Sequence, residues 1–309
     1  MNKKSISLFL FTLFLAPLFL FTQEAEMVGG KFIFGYDYRT VQEIGGSLNS
    51  IKITLDTFAK KINSEFTLKM FKDSNELVSA LDENKITCAS LTPLSYVQYA
   101  KKNVKPLVSA IGANSEDVFI RYIIVVRNDS GIDTLEQLSG KSFAKTKSEE
   151  TGYLYLTTEL LKKKLKPINT FFGSFSDYET QEEALYSVYF KKNIGCIISD
   201  DTLNMLIEMN PAIQDQLKII IKSEKFIYSG LFVNQNISKE IEENLVQTSL
   251  TLHLTKSGRQ TLKLVRTKKL LLVKDEDFNS IRDLLKEYKD ITQKDYAEVN
   301  EKPQAQLEK

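Results

Sequence analysis

The sequence predicts an α/β protein of two lobes, each made of strands that alternate with helices. Three observations carry this expectation. Short apolar runs of strand length, such as Ile86–Leu91, Tyr122–Arg127 and Ile194–Ser199, alternate with longer stretches of helical spacing. Turn and cap residues separate them, as in Asp73-Ser-Asn, Thr92-Pro and Ser139-Gly-Lys. The chain of 309 residues has room for two cores. Strand–helix alternation predicts a largely parallel sheet with helices on its faces. In such sheets ligands gather at the C-terminal strand ends.

Composition excludes several classes. Apolar residues make up 42% and charged residues 26%, the balance of an ordinary globular protein. The formal charge is +1 and no basic stripe is present, so nucleic acid is not an expected partner. Cys88 and Cys196 each sit in an apolar run and read as small buried hydrophobes. A disulfide between them is unsupported. Metal-ligand spacing is missing, and no metal or cofactor is expected. The single histidine, His253, lies among leucines and reads as structural. Without a Ser-His-Asp set or a phosphate loop the chain is not expected to be an enzyme. Adjacent Asp200 and Asp201 read as helix caps rather than as an acid–base pair.

At the N-terminus, Lys3 and Lys4 precede the apolar stretch Ile6–Phe21. This predicts an export signal over residues 1–23, with an uncleaved membrane tether as the alternative. Either places the mature protein in the periplasm or outside the cell.

Along the mature chain, Lys31–Gly35 reads as a strand that leads into a loop at Tyr36. Ser50–Ile62 has an amphipathic helical pattern, and Phe66–Phe71 alternates as a strand. A helix opens at Asp73 or Ser74, Ile86–Leu91 is a buried strand, and Pro93 starts the next helix. Strands follow at Leu107–Gly112 and Tyr122–Arg127. The second lobe then reads as a strand at 141–144, a helix Thr151–Leu165, a strand Thr170–Phe172, a helix Thr180–Phe190 and a strand Ile194–Ser199. A helix opens at Asp200. Strands Leu217–Ile221 and Phe226–Val233 come next, the second returning the chain to the first lobe. Helices follow at Ser238–Leu254, Ser257–Lys263 and Ser280–Tyr288. The boundaries are then residues 24–125 for lobe 1, 126–226 for lobe 2, 227–293 for the return with C-terminal helices, and 294–309 for a polar tail.

The organising stretch runs from Ser139 to Leu156. It reads as turn, strand, loop and helix start, with Ser148 as a candidate cap. A helix start aims unpaired N–H groups at whatever lies above it and favours an anion. Here the loop carries Glu149 and Glu150 instead.

Several motifs in order resemble those of the phosphate/phosphite/phosphonate family of ABC-transporter substrate-binding proteins. They are Ser130-Gly-Ile-Asp-Thr-Leu-Glu-Gln-Leu-Ser-Gly-Lys-Ser-Phe-Ala, Thr92-Pro-Leu-Ser-Tyr-Val-Gln-Tyr-Ala, Phe172-Gly-Ser, the run Ile194–Leu203, and Asp277-Phe-Asn-Ser-Ile-Arg-Asp-Leu-Leu. The resemblance implies a periplasmic-binding-protein-like fold, each lobe a mixed sheet flanked by helices, joined by two crossing strands. It implies a monomer that closes on a small-molecule ligand and delivers it to the membrane permease of an ABC transporter. It also implies ligand contacts at Tyr36, Thr92, Ser95, Tyr96, the loop Glu149, Glu150, Thr151 and Gly152, Ser174 and Asp200.

The chain departs from the family pattern at three sites. Glu149-Glu150-Thr151 stands where phosphonate binders have Ser-Thr-Ser, Thr92 where they have Gly, and Phe175 where a His often follows Gly-Ser. Either the glutamates support the helix start from its solvent side, or the cleft is retuned for a cationic or neutral ligand or has lost small-ligand binding. A sensor or interaction protein using the same fold is the alternative function.

Overall fold

The computed structural model describes residues 31–37, 65–147 and 149–301, together with Lys52, Ile53, Asp56 and Lys60. The proposed export signal, the Ser148 cap and most of the 50–62 helix lie outside these residues.

Among the described residues eleven strands form two mixed sheets. The first holds β1 (Lys31–Asp37), β2 (Glu65–Phe71), β3 (Cys88–Leu91), β4 (Val104–Gly112), β10 (Gly230–Asn234) and β11 (Thr267–Leu272), in the order β11-β4-β10-β3-β1-β2. The second holds β5 (Phe119–Arg127), β6 (Ser142–Thr146), β7 (Ser174–Tyr178), β8 (Gly195–Ser199) and β9 (Leu217–Ile227), in the order β7-β6-β8-β5-β9. β1 pairs in parallel with β2 and β3, and β6 with β7 and β8. The expected parallel character ends there. β10 returns from the second sheet and inserts antiparallel between β3 and β4. β5 lies antiparallel to both β8 and β9.

Sequence reading placed the first crossing after the strand at 122–127. That strand, β5, already pairs within the second sheet, so the chain crosses between Gly112 and Phe119. The crossing is tied down by Asp201, whose Oδ1 accepts from the Asn114 amide at 3.2 Å and the Ser115 hydroxyl at 2.8 Å. The return crossing is the short break between β9 and β10. β11 was not expected from the sequence, and the segment after Asp295, expected to be a frayed tail, continues the last helix to Glu301.

Helices follow their capping chemistry. In α1 (Ser74–Asp82) Asp73 accepts from the Glu76 amide. In α2 (Pro93–Tyr99) Thr92 accepts from the Ser95 amide, with Pro93 at the tolerant first position. α3 spans Glu150–Lys162 and α4 Ile168–Phe171. A Thr180–Glu183 capping box opens α5 (Gln181–Tyr189). Ser199, not the aspartates, caps α6 (Asp200–Met209). The short α7 is Ala212–Gln216, and α8 (Lys239–Thr251), α9 (Lys256–Leu264) and α10 (Asn279–Glu301) complete the set.

One apolar cluster runs through both lobes. It contains Leu77, Phe232 and Phe278 beside the first sheet and Leu156, Phe143 and Phe226 beside the second. A separate cluster, with Phe32, Phe34, Cys88, Val108 and Leu245, lies on the other face of the first sheet. Both cysteines are buried and unbonded, as their apolar settings predict.

The strand expected at 170–172 is instead α4, and β7 begins two residues later. Gly140 and Gly173 fix this junction. The Gly173 amide donates to the Lys141 carbonyl at 2.9 Å, and a Cβ on Gly173 would stand 2.3 Å from the Gly140 carbonyl oxygen. Backbone cannot yield as a side chain would. Gly173→Ala is therefore expected to cost about 1–3 kcal/mol of stability, read as a lower denaturation midpoint; an unchanged midpoint would show that the junction relaxes.

Candidate functional site

The C-terminal ends of β1, β3, β6 and β8 face one another across a cleft. Parallel pairing aligns these ends, and the antiparallel partners bring the start of β10 and Tyr122 of β5 to the same edges. A cavity of about 390 Å³ opens here and extends under the first sheet. Three carboxylates line it, Asp37, Glu149 and Glu150, and among its described lining residues there is no Lys, Arg or His.

Glu149 precedes the first turn of α3 and turns inward. Its Oε1 accepts from the Tyr122 hydroxyl at 2.5 Å and its Oε2 from Gln181 Nε2 at 2.8 Å. Gln181 cannot turn away, because its Oε1 already accepts from the Ser199 amide at 2.7 Å and the Thr202 hydroxyl at 2.9 Å. Burial pushes the Glu149 carboxyl above its ordinary 4.5, with the nearby Glu150 charge adding to the rise. Tyr122, the Gly152 amide and Gln181 pull the other way; the Gly152 amide acts from nearby, outside the geometry of a cap hydrogen bond. Burial, followed by the Glu149 charge, holds the Tyr122 phenol well above its usual range.

Glu150 reaches across the cleft. Its Oε2 lies 3.2 Å from Thr92 Oγ1 and 3.3 Å from Ser95 Oγ, at the start of α2 in the other lobe. These hydroxyls are 2.7 Å apart, and Thr92 also caps its helix. A second bridge joins Arg266, just before β11, to Glu182 of α5. Asp37 is buried and accepts from the Ser74 hydroxyl at 2.6 Å.

Of the residues singled out from sequence, Tyr36, Thr92, Glu149, Glu150 and Thr151 line the cavity. Ser95 lies behind Thr92. Gly152 backs the site: a Cβ there would meet the Tyr122 ring at 2.9 Å, so glycine lets that ring lie against the helix start. Tyr96, Ser174 and Asp200 lie elsewhere. Tyr96 turns into the core between Phe232 and Phe278, and its hydroxyl donates to Asp275 at 2.5 Å. Ser174 starts β7 and so sits at the end of the parallel strands remote from the cleft. Asp200 accepts from the Arg121 amide at 2.9 Å and pairs with Lys222.

Sequence reading missed Asp37, Ser74, Tyr122 and Gln181. Gln181 had a signal: it follows the capping-box Thr180 at the C-terminal end of β7, the end where ligands gather. Misplacing that strand hid it.

The chain matches the family described as the ABC transporter, phosphonate, periplasmic substrate-binding protein over residues 48–278. It belongs to that family. No curated protein sequence matches the chain significantly. Among solved structures, a Xanthomonas citri protein bound to ATP is 15% identical, covering 85% of this chain and 98% of that one at a TM-score of 0.63. A binding-protein component of an ABC phosphonate transporter from Pseudomonas aeruginosa is 16% identical, with 84% and 87% covered and a TM-score of 0.59. A Prochlorococcus marinus protein in complex with methylphosphonate is 12% identical, with 82% and 97% covered and a TM-score of 0.62. At these identities the likeness concerns the fold, which is the two-lobed α/β architecture of periplasmic binding proteins. The family is periplasmic and serves transport. Among the described residues no helix is long and apolar enough to cross a membrane.

Tyr96→Ala should cost about 3–5 kcal/mol of stability by opening the core, measured by chemical denaturation; a wild-type midpoint would contradict its burial. Glu149 has a raised folded pKa, so its contribution to stability is fully present below about 4.5 and is lost as pH rises through the folded value. The melting temperature of Glu149→Gln relative to wild type should therefore climb between acid and neutral pH. A constant difference across that range would contradict the assignment.

Proposed function

We propose that this chain is an extracytoplasmic receptor of an ABC transporter whose cleft takes a cationic or neutral, hydrogen-bond-donating solute rather than a phosphonate anion. The observation behind this reading is that the charged side chains among the described lining residues of the cavity are all acidic. A phosphonate about 4 Å from one ionised carboxylate meets repulsion of roughly 4 kcal/mol at an intermediate dielectric. An ammonium group in the same place gains by a comparable amount before desolvation.

The proposed ligand sits between Tyr36, Asp37 and Thr92 of one lobe and Tyr122, Glu149, Glu150, Thr151 and Gln181 of the other. The carboxylates accept its donors, and Gln181 and Tyr122 keep Glu149 in place. Closure brings Glu150 against Thr92 and Ser95 and excludes water, which strengthens each polar contact. The closed monomer then docks on its membrane permease, which opens the lobes and takes the solute. In this reading residues 1–23 direct export and are removed.

A melting-temperature screen with primary amines, neutral polyols, phosphate and methylphosphonate tests the reading. A ligand at about 100 times its Kd stabilises by about 2.7 kcal/mol. Stabilisation by amines or polyols, and none by methylphosphonate, is the expected result. Stabilisation by methylphosphonate alone would overturn it.

A further inference from the structure

The cavity is larger and far more apolar than a small polar solute requires. From the cleft edge it runs inward along one face of the first sheet. Tyr36 and Phe34, then Ala110 and Val108, line it in two-residue steps, each about 7 Å along a strand. The opposite wall is Leu245 of α8 with Leu262 and Val265 at the end of α9. No charged side chain among the described residues lines this inner part. Two of its hydroxyls are turned to the backbone: Thr261 donates to the Ser257 carbonyl at 3.2 Å and Thr267 to the Val265 carbonyl at 3.1 Å. Water in such a chamber finds few polar partners. Left dry, a void of this size would weigh heavily against the stability of a domain. The volume lies within the range of pockets that enclose a drug-sized molecule.

The chamber opens directly onto the carboxylates. Its mouth is bounded by Asp37, Thr92, Glu149 and Glu150. One molecule can therefore place a polar head at the mouth and an apolar tail beneath the sheet.

From this juxtaposition we infer that the ligand is an amphiphile: a cationic or hydroxyl-bearing head at Asp37, Glu149 and Glu150, with a hydrocarbon or aryl tail packed between Phe34, Val108, Leu245 and Leu262. The head assignment rests on the function proposed above; the tail chamber stands on its own lining.

Titration calorimetry of the purified protein with methylamine, butylamine, hexylamine and octylamine tests this, with the matching alkylphosphonates run in parallel. Affinity should rise about fourfold per added methylene until the chamber is full, the equivalent of ~0.8 kcal/mol per CH₂. Two chamber-filling variants, Ser249→Leu and Ala110→Leu, should each flatten the series; their melting curves show that they fold. A rising amine series flattened by either folded variant supports the inference. Equal affinity for methylamine and octylamine overturns the tail chamber and leaves the cationic-head reading standing. A rising series confined to the phosphonates supports the chamber and overturns the head reading. Failure of every member to bind overturns both.

Discussion

The cleft is organised by a carboxylate pointing inward at the start of a helix. Glu149 lies where the first turn of α3 faces the second lobe's edge, and it is gripped by Tyr122 and Gln181. Gln181 is itself fixed by Ser199 and Thr202. Three strands of the second sheet thus converge on one side chain: β5 through Tyr122, the end of β7 through Gln181, and the end of β8 through Ser199. Glu150, its neighbour, reaches to Thr92 and Ser95 of the other lobe. The protein supplies its own negative charge at the junction where a phosphate-type ligand would otherwise bring it. In the function proposed above, these two glutamates set the sign of charge that the cleft accepts.

Closure has a second anchor away from the cleft. α10 packs on α3, Phe278 just before it joins the shared core, and Arg266 meets Glu182 across the lobes. The ion pair is largely exposed on the arginine side, where such pairs contribute little. Glu150 is placed more tellingly, because its partners sit at the rim of the cavity and their geometry depends on the lobes being together. The cavity lining and the contact between the lobes therefore share one residue.

Much of this was legible in the sequence where the physics is local. The cap at Asp73, the helix starts at Thr92-Pro and Thr180, and the buried strands at 88–91 and 195–199 all follow from spacing and hydrogen-bonding chemistry. The misreadings share a cause. Whether a tyrosine in a turn faces a ligand or a core depends on what packs behind it. Tyr96 is decided by Phe232 and Phe278, more than a hundred residues away. Ser174 was misplaced because the short helix α4, not a strand, precedes β7. β11 was invisible because Thr267-Lys-Lys-Leu is poor in alternation and is ordered by pairing with β4. The chamber under the first sheet arises from α8 and α9 meeting strands far earlier in the chain, so no local pattern announces it.

The Glu150 carboxylate joins the lobes at Thr92 and Ser95. The most direct test is the distance between spin labels at Glu179→Cys and Lys268→Cys, exposed positions on opposite lobes; Cys88 and Cys196 are buried and take no label. Pulsed dipolar measurements on the ligand-free protein should give one short, narrow distribution with Glu150 present. With Glu150→Ala the distribution should broaden and lengthen. Identical distributions in the two proteins would contradict the claim and assign closure to α10 and the shared core instead.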